Sequence, residues 1–437
     1  MGFVNTEIEK AKKYITEHNI HTVEIGFADI IGGLRGKLPP AKFFLEHIGE
    51  GTGICRAPLT WDVQCDYFTT SEFAGFNNGA PDMNLVPDLT TLREIPWRKG
   101  SAFVLSDLHY DTGESIPFAP RQVLKNVLAR LDKTGFQAKA GSEIEFFLLD
   151  GDKQPLFGGQ QAYSLYKAGE YSEILSQFTR NLEEFGIRVE ALHSEYGPAQ
   201  IEVILEYDDT LTIADNTVIA RNAIKEIARK NGYYATFMAK PWAEQSGSGY
   251  HLHQSLWSRN GKNIFAEDQN VLENYVAGLL HNAREYMALV CPTVNSYKRL
   301  ADLSFAPTKV GWAYDNRTVS TRLAGSGRSL RVEQRTGSAD ANAYLLIAAS
   351  VASGLYGLEN KLRPQPISEG NGYFNDELPN LPRTLAEAAP LFIGSANAVE
   401  YFGKTFVEIF GDLLNHEIAV NHQAVSEWER QRYLEFS

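Results

Sequence analysis

Glu143 and Glu145 stand two residues apart in Gly141-Ser142-Glu143-Ile144-Glu145-Phe146-Phe147-Leu148-Leu149-Asp150, a run that is otherwise mostly apolar. The run predicts a buried strand. Side chains alternate faces along a strand, so both carboxylates point the same way. Phe147 and Leu149 continue that face, and Ile144, Phe146 and Leu148 take the other. Adjacent buried carboxylates repel, and desolvating both is costly unless a cation lies between them. A hard divalent cation such as Mg²⁺, which prefers oxygen ligands, resolves the conflict. An edge strand with two solvated acids is the alternative.

The two-residue spacing recurs. Gln200 and Glu202 share a face in Ala199-Gln200-Ile201-Glu202-Val203, and His251 and His253 share one in Tyr250-His251-Leu252-His253. Arg331, Glu333 and Arg335 share one in Leu330-Arg331-Val332-Glu333-Gln334-Arg335. Four strands with polar faces suggest one polar cavity lined by a sheet, against the alternative of scattered surface charges. The inventory is Glu143, Glu145, Glu195, Glu202, Glu333 and His251, opposed by Arg299, Arg317, Arg322, Arg328, Arg331 and Arg335. Acids with imidazole suit a divalent metal, and arginines suit planar phosphate and carboxylate groups. Together they point to a metal-bound polyphosphate, a carboxylate substrate and phosphoryl transfer.

The elements that position these residues are of mixed type. Val4 to His18 predicts an amphipathic helix, Thr22 to Ala28 and Arg35 to Leu38 a strand pair, and Ala41 to His47 a short helix. Leu85 to Asp88 and Ala102 to Asp107 read as further strands, so residues 1–112 form a small, loop-rich mixed sheet. Ser115 to Pro120 reads as a proline-punctuated linker. A helix with Val123, Leu124, Val127, Leu128 and Leu131 on one face follows it. Beyond it, helices near Ile213 to Asn231 and Val271 to Val290 alternate with the polar-faced strands. Asp215 and Asn216 fall in the opening turn of the first, where an acid suits the helix dipole.

The 437 residues suffice for two or three domains, and 43% hydrophobic with 22% charged residues is ordinary for a globular protein. A net charge of −13 argues against nucleic acid or an anionic membrane as partner. Cys55, Cys65 and Cys291 lack zinc spacing and suit a reducing cytoplasm. No membrane span or signal peptide is read, and the opening Met1-Gly2-Phe3-Val4-Asn5-Thr6 matches a myristoylation pattern by letter alone.

Over nearly its whole length the chain resembles the glutamine synthetase family. The resemblance rests on Gly141 to Phe147, His193-Ser194-Glu195-Tyr196-Gly197-Pro198-Ala199-Gln200-Ile201-Glu202, and Ala235 to Pro241 leading to Gly247-Ser248-Gly249-Tyr250-His251-Leu252-His253-Gln254-Ser255-Leu256. Pro292 to Leu300, Asp315-Asn316-Arg317 and Arg331 to Arg335 complete it. It implies an α+β fold, with a β-grasp-like N-terminal domain over 1–112 and a catalytic domain over 113–437 whose curved antiparallel sheet lines the active site. It implies one cation, Mg²⁺ or Mn²⁺, on Glu145, Glu195 and Glu202, and another on Glu143, His251 and Glu333. It also implies ATP near His253, Ser255 and Arg331, with Arg322 on its phosphates and Arg317 on the transferring phosphoryl group. Arg299 and Arg335 would take the glutamate carboxylates, beside Gly247. Asp62, with Asp66 as the other candidate, would serve a neighbouring subunit's site in stacked rings, a dodecamer by resemblance. Tyr373 lies where some members carry a regulatory tyrosine, but its neighbours differ and no such regulation is expected.

One departure bears on function. The family's ammonium-site glutamate, just before an Ala-Pro pair, is Phe305 here, ahead of Ala306-Pro307. Ser246 replaces an asparagine expected before Gly247. A phenyl ring accepts no proton and offers ammonium only a weak π face, while its apolar wall fits the carbon part of an organic amine. The sequence resembles the γ-glutamylamide ligase branch, which joins glutamate to an alkylamine, arylamine or polyamine. Trp61 and Phe305 are expected to line the amine pocket. The alternatives are an ammonia-using glutamine synthetase with a relocated base, Asp302 or Asp66, and a non-catalytic structural member.

Overall fold

The computed structural model describes residues 5–68, 72–159 and 162–436. The myristoylation-like opening lies outside the described residues, and the first helix runs Asn5–Glu17. Six strands build the first sheet: β1 (Thr22–Ala28), β2 (Leu34–Lys37), β3 (Thr52–Cys55), β4 (Asp82–Pro87), β5 (Arg93–Glu94) and β6 (Ser101–His109). Their order is β2-β1-β6-β4-β3, with β5 also on β6. β1 and β6 pair in parallel while the other contacts are antiparallel, a mixed, grasp-like sheet.

Nine strands build the second sheet: β7 (Phe136–Leu149), β8 (Val189–Ser194), β9 (Gln200–Leu205), β10 (Asp208–Asp209), β11 (Tyr234–Thr236), β12 (Tyr250–Ser258), β13 (Trp312–Tyr314), β14 (Thr321–Ala324) and β15 (Arg331–Gln334). The order is β13-β14-β15-β12-β7-β9-β8, with β10 and β11 also on β7. The expected antiparallel pairing holds except at one end, where β13 and β14 run parallel. β7 is paired along both edges and fixes the register of its neighbours.

The two faces of β7 differ as strand parity requires. Ile144, Phe146 and Leu148 are fully buried. Phe146 packs against Phe178 and Phe237, with ring centroids 5.9 and 5.2 Å away. Ser142, on the same face, bonds Thr217 of helix Thr210–Lys230 at 2.7 Å and the Tyr250 hydroxyl at 2.9 Å. Helix Ala343–Glu359 is apolar nearly all round and almost wholly buried, as a central core helix must be.

Three readings need correction. Ser115 to Pro120 is no free linker, because Ile116, Phe118 and Ala119 are buried and Pro120 opens helix Pro120–Asp132. Proline suits the first helical position, whose N–H would lack an intrahelical partner in any case. The helix expected over Val271 to Val290 is split into Gln269–Asn282 and Met287–Val290. Asp215 lies beyond the first turn of its helix, which starts at Thr210, and its role is not dipolar.

Asp215 instead faces Arg121, which donates to both its oxygens at 2.9 and 2.8 Å. The same guanidinium donates to Asp107 and Asp88, each at 2.8 Å. Tyr344 donates its hydroxyl proton to Asp215 at 2.7 Å. One buried cation thus joins the first sheet to three helices behind the second. Removing it strands the buried carboxylate of Asp215 and the partly buried ones of Asp88 and Asp107, so Arg121→Ala should lower unfolding stability by roughly 3–5 kcal/mol. Lys125→Ala, which removes a half-exposed partner of Asp107, should cost less than about 1 kcal/mol. Urea unfolding followed by tryptophan fluorescence compares the two, and equal losses would contradict this account.

Candidate active site

The register of the second sheet brings the polar faces into one row. His251 lies directly opposite Glu143, and Glu202 opposite Glu145. Farther out, Glu333 lies opposite both His253 and Arg322, and His193 opposite Glu202. Directly opposed residues project to the same face, so one side of the sheet carries every acid that the spacing had marked on these strands.

Side-chain contacts form two groups along the row, which meet where Glu143 reaches Glu202. Glu143 takes hydrogen bonds from His251 Nδ1 at 2.8 Å and His253 Nε2 at 3.0 Å, with Glu333 4.0 Å from the same His251 nitrogen. Glu333 is almost fully buried and is held by Arg322 at 2.6 Å and by Arg335. In the other half, His193 Nε2 lies 3.0 Å from Glu202, and its Nδ1 lies 3.7 Å from Glu195. Glu145 accepts the Gly249 N–H at 2.6 Å. Three carboxylate–imidazole groups have ligand atoms mutually within 4.8 Å: Glu143, Glu202 and His251; Glu143, His253 and Glu333; His193, Glu195 and Glu202. Carboxylate oxygens with imidazole nitrogens are the donor set that a divalent cation takes.

Electrostatics mark the same division. Burial alone would raise the Glu143 carboxyl, but hydrogen bonds from His251 and His253 outweigh it and hold it far below the ordinary range. Burial also pushes at Glu333, yet Arg335, His253 and His251 bring it down to about 2. Glu195 is pushed up to about 7, first by burial and then by the charge of Glu145. Glu202 is raised by burial and by Glu143, Glu145 and Glu195. Like charges crowd one half, while the other is balanced by arginine and imidazole.

The arginines expected to meet substrates fall in different places. Arg299 is buried, donating to the carbonyls of Thr336 and Arg335 at 3.3 and 3.2 Å, with its Nη2 3.3 Å from His251 Nε2. Gly247 and Gly249 make room for it. A Cβ at Gly247 would lie 2.6 Å from Arg299 Cγ, and one at Gly249 would lie 2.6 Å from Arg299 Nη2 and 2.9 Å from His251 Nε2. Arg335 also donates to the Phe305 carbonyl at 3.2 Å. Arg322 bridges Glu333 and Asp315. Arg317 is exposed on the connection from β13 to β14, close enough to Tyr163 to influence it together with Glu195 and Glu202.

A cavity of about 440 Å³ opens beside Glu143. His253, Ser255 and Arg331, expected near a nucleotide, line it with Lys139, Tyr207, Trp257 and Arg328. The Tyr207 and Trp257 rings are nearly parallel, 6.4 Å apart and 13° from coplanar. The Arg328 guanidinium lies 5.5 Å from the Trp257 ring centre. A positive, aromatic wall next to acids with the donor set of a divalent cation suits a metal-bound nucleotide.

Other expected residues do not join this row within one chain. Asp62 is buried in its own loop, accepting from the N–H groups of Gln64 and Asp66 at 2.8 and 2.9 Å and from His416 Nε2 at 3.0 Å. Asp66 is exposed. Trp61 packs against Tyr67 at 6.0 Å, whereas Phe305 faces Tyr196 at 5.9 Å. Asp302 is engaged by Thr308 at 2.7 Å and Arg383 at 3.6 Å. Tyr373, read as an ordinary loop tyrosine, is buried near Arg335 and Arg299.

The sequence reading missed His193, Tyr196, Tyr207 and Trp257. His193 stands two before Glu195, and Trp257 two after Ser255, so parity along β8 and β12 carried a signal for both. Tyr196 and Tyr207 come into place only through packing.

Comparison with known proteins identifies the family. A profile for the catalytic domain of glutamine synthetase matches residues 117–433. Glutamate–isopropylamine ligase from a Pseudomonas species is 39% identical, over 98% of this chain and 98% of that one. Gamma-glutamylethanolamide synthetase of Streptomyces coelicolor is 35% identical, over 98% and 96%. Proteins named glutamine synthetase match at similar identity. A solved structure of a GmaS/ADP complex has a TM-score of 0.88 at 27% identity, covering 97% of this chain and 99% of that one. The chain belongs to the glutamine synthetase family.

Proposed function

We propose that the protein is an ATP-dependent ligase that joins glutamate to an organic amine through a γ-glutamyl phosphate. One observation carries the choice of amine over ammonia. Beside an intact row of acids, the position of the family's ammonium-site glutamate holds a phenyl ring that faces Tyr196. Relatives named for isopropylamine and ethanolamide products support the reading. The base relocation required by an ammonia enzyme is weakened at Asp302, whose carboxylate is already engaged.

The residues divide the work as follows. Glu145, Glu195 and Glu202 would hold one divalent cation, Mg²⁺ or Mn²⁺, and Glu143, His251 and Glu333 would hold the other. Bound there, the cations would supply charge neutralisation at the phosphate oxygens. His253, Ser255 and Arg331 line the nucleotide cavity, and Tyr207 with Trp257 forms its aromatic side. Arg322 takes the phosphates and Arg317 the transferring phosphoryl group. Arg299 and Arg335 orient glutamate, with Gly247 providing close backbone approach. The γ-carboxylate attacks the terminal phosphorus and ADP leaves. The amine nitrogen then attacks the acyl carbon of the γ-glutamyl phosphate, and phosphate departs as the nitrogen loses a proton. Phosphorylation is needed because a carboxylate oxygen is a poor leaving group.

The chain divides near 112/113 in this reading, which the two separate sheets support. Asp62 would act on a neighbouring subunit's site, with Trp61 beside it, in a ring-shaped homo-oligomer. The location is the cytoplasm, a reading supported by free thiols at Cys55, Cys65 and Cys291. No helix among the described residues is long and apolar enough to cross a membrane.

Two expected outcomes follow from these assignments. Phosphate release from ATP with Mg²⁺ and glutamate should be strong with at least one organic amine and weak with ammonium. Phe305→Glu should shift that preference toward ammonium by about tenfold or more. Preference for ammonium in the unaltered protein would refute the ligase reading. In the second experiment, Mg²⁺ or Mn²⁺ should stabilise the unaltered protein in thermal unfolding. The gain should be about 3 kcal/mol at a hundredfold excess over the dissociation constant. Glu202→Gln should unfold at a higher temperature than the unaltered protein in EDTA, because the cost of burying and protonating a carboxyl beside Glu143, Glu145 and Glu195 is gone, and should gain less from metal. Equal metal responses would place the cation elsewhere.

A further inference from the structure

We propose that Tyr196 is a specificity-determining residue, forming with Phe305 a two-ring wall that selects a compact primary monoamine. This rests on the ligase reading and narrows its acceptor.

The two rings are 5.9 Å apart and 30° from parallel. They are 46% and 45% exposed, so each keeps a free face. Ring pairs that serve only the core are buried, as Phe146 is with Phe237. Both rings are tethered to the acid row. Tyr196 follows Glu195 directly, and its N–H donates to that carboxylate at 3.2 Å. Phe305 is held through its carbonyl by Arg335, which also grips Glu333. The wall therefore joins elements bonded to both halves of the acid row.

The Phe305 backbone is unusual as well. Its φ is +59°, and Leu303 in the same loop has φ +63°. Neither is glycine, and the left-handed region is disfavoured for residues that carry a Cβ. Strain retained at an exposed aromatic residue beside a polar site suits a functional contact better than a packing one.

Charge narrows the class of amine. The acids beside Tyr196 attract one ammonium group, and the rings favour the carbon atoms attached to it. Asp302, the acid on the Phe305 loop, is already bonded to Thr308 and Arg383. Beyond Asp302, whose Oδ1 is held by these two partners, residues 301–307 carry no acid for a second ammonium. An amine with a small alkyl or single-ring group therefore fits, and a long diamine does not.

Steady-state kinetics with ethylamine, isopropylamine, benzylamine and putrescine test this on the full-length protein. Tyr196→Ala should raise KM for isopropylamine and benzylamine by about tenfold or more while KM for ATP and glutamate stays within about twofold. Tyr196→Phe should recover most of the lost acceptor affinity, and Tyr196→Trp should shift preference toward ethylamine. Putrescine should be the poorest acceptor of the unaltered protein. Unchanged acceptor KM in both the Ala and Trp variants, or equal loss for all three substrates, would overturn the wall while leaving the ligase reading intact. Turnover with ammonium alone, or with no acceptor, would overturn both.

Discussion

Repulsion among carboxylates gathered on one sheet face is the constraint on which the structure depends. Glu143 and Glu145 on β7 are set opposite His251 and Glu202 by strand pairing, not by flexible side chains. The backbone ladder that fixes them is shared with four other strands, so the charges have little room to move apart. One half of the row is balanced by His251, His253, Arg322 and Arg335. The other half keeps Glu195 and Glu202 raised by burial and by the charges of Glu143 and Glu145. Such a half-balanced site favours added positive charge, which is the physical basis for assigning metal-dependent phosphoryl chemistry to it.

Much of the remaining architecture holds this row in place. The opposite face of β7 is sealed by helices and aromatic packing, so the strand cannot turn its acids to solvent by twisting. Gly247 and Gly249 let Arg299 come up against His251, where a methyl group would collide. Behind the sheet, Arg121 draws Asp88, Asp107 and Asp215 together and fixes the first sheet against the helical layer. The reaction needs groups aligned to a fraction of an ångström, and rigid strands provide that better than loops.

The row was legible in the sequence because strand parity is strict and the polar residues recur at spacing two. Parity says which side chains share a face but not which strands are neighbours. The pairing of Glu145 with Glu202 is known only from the fold. Asp215 was misread because the helix start was set near Ile213, although Asp209, an N-cap residue type, precedes Thr210, and because its partner Arg121 lies on a separate helix. The break after Asn282 carries no glycine or proline to announce it. Phe305 was noticed as a departure from a pattern, but its neighbour Tyr196 depends on how two distant loops pack. Trp61 was placed beside Phe305 by chemical type, and in the single chain its ring meets Tyr67 instead.

The central claim is that the face of β7 holds two divalent cations for phosphoryl transfer. The most direct measurement is anomalous diffraction at the manganese edge from crystals grown with Mn²⁺ and ADP. The account predicts two peaks, one coordinated by Glu145, Glu195 and Glu202 and the other by Glu143, His251 and Glu333. A single peak, or peaks away from this face, would contradict it.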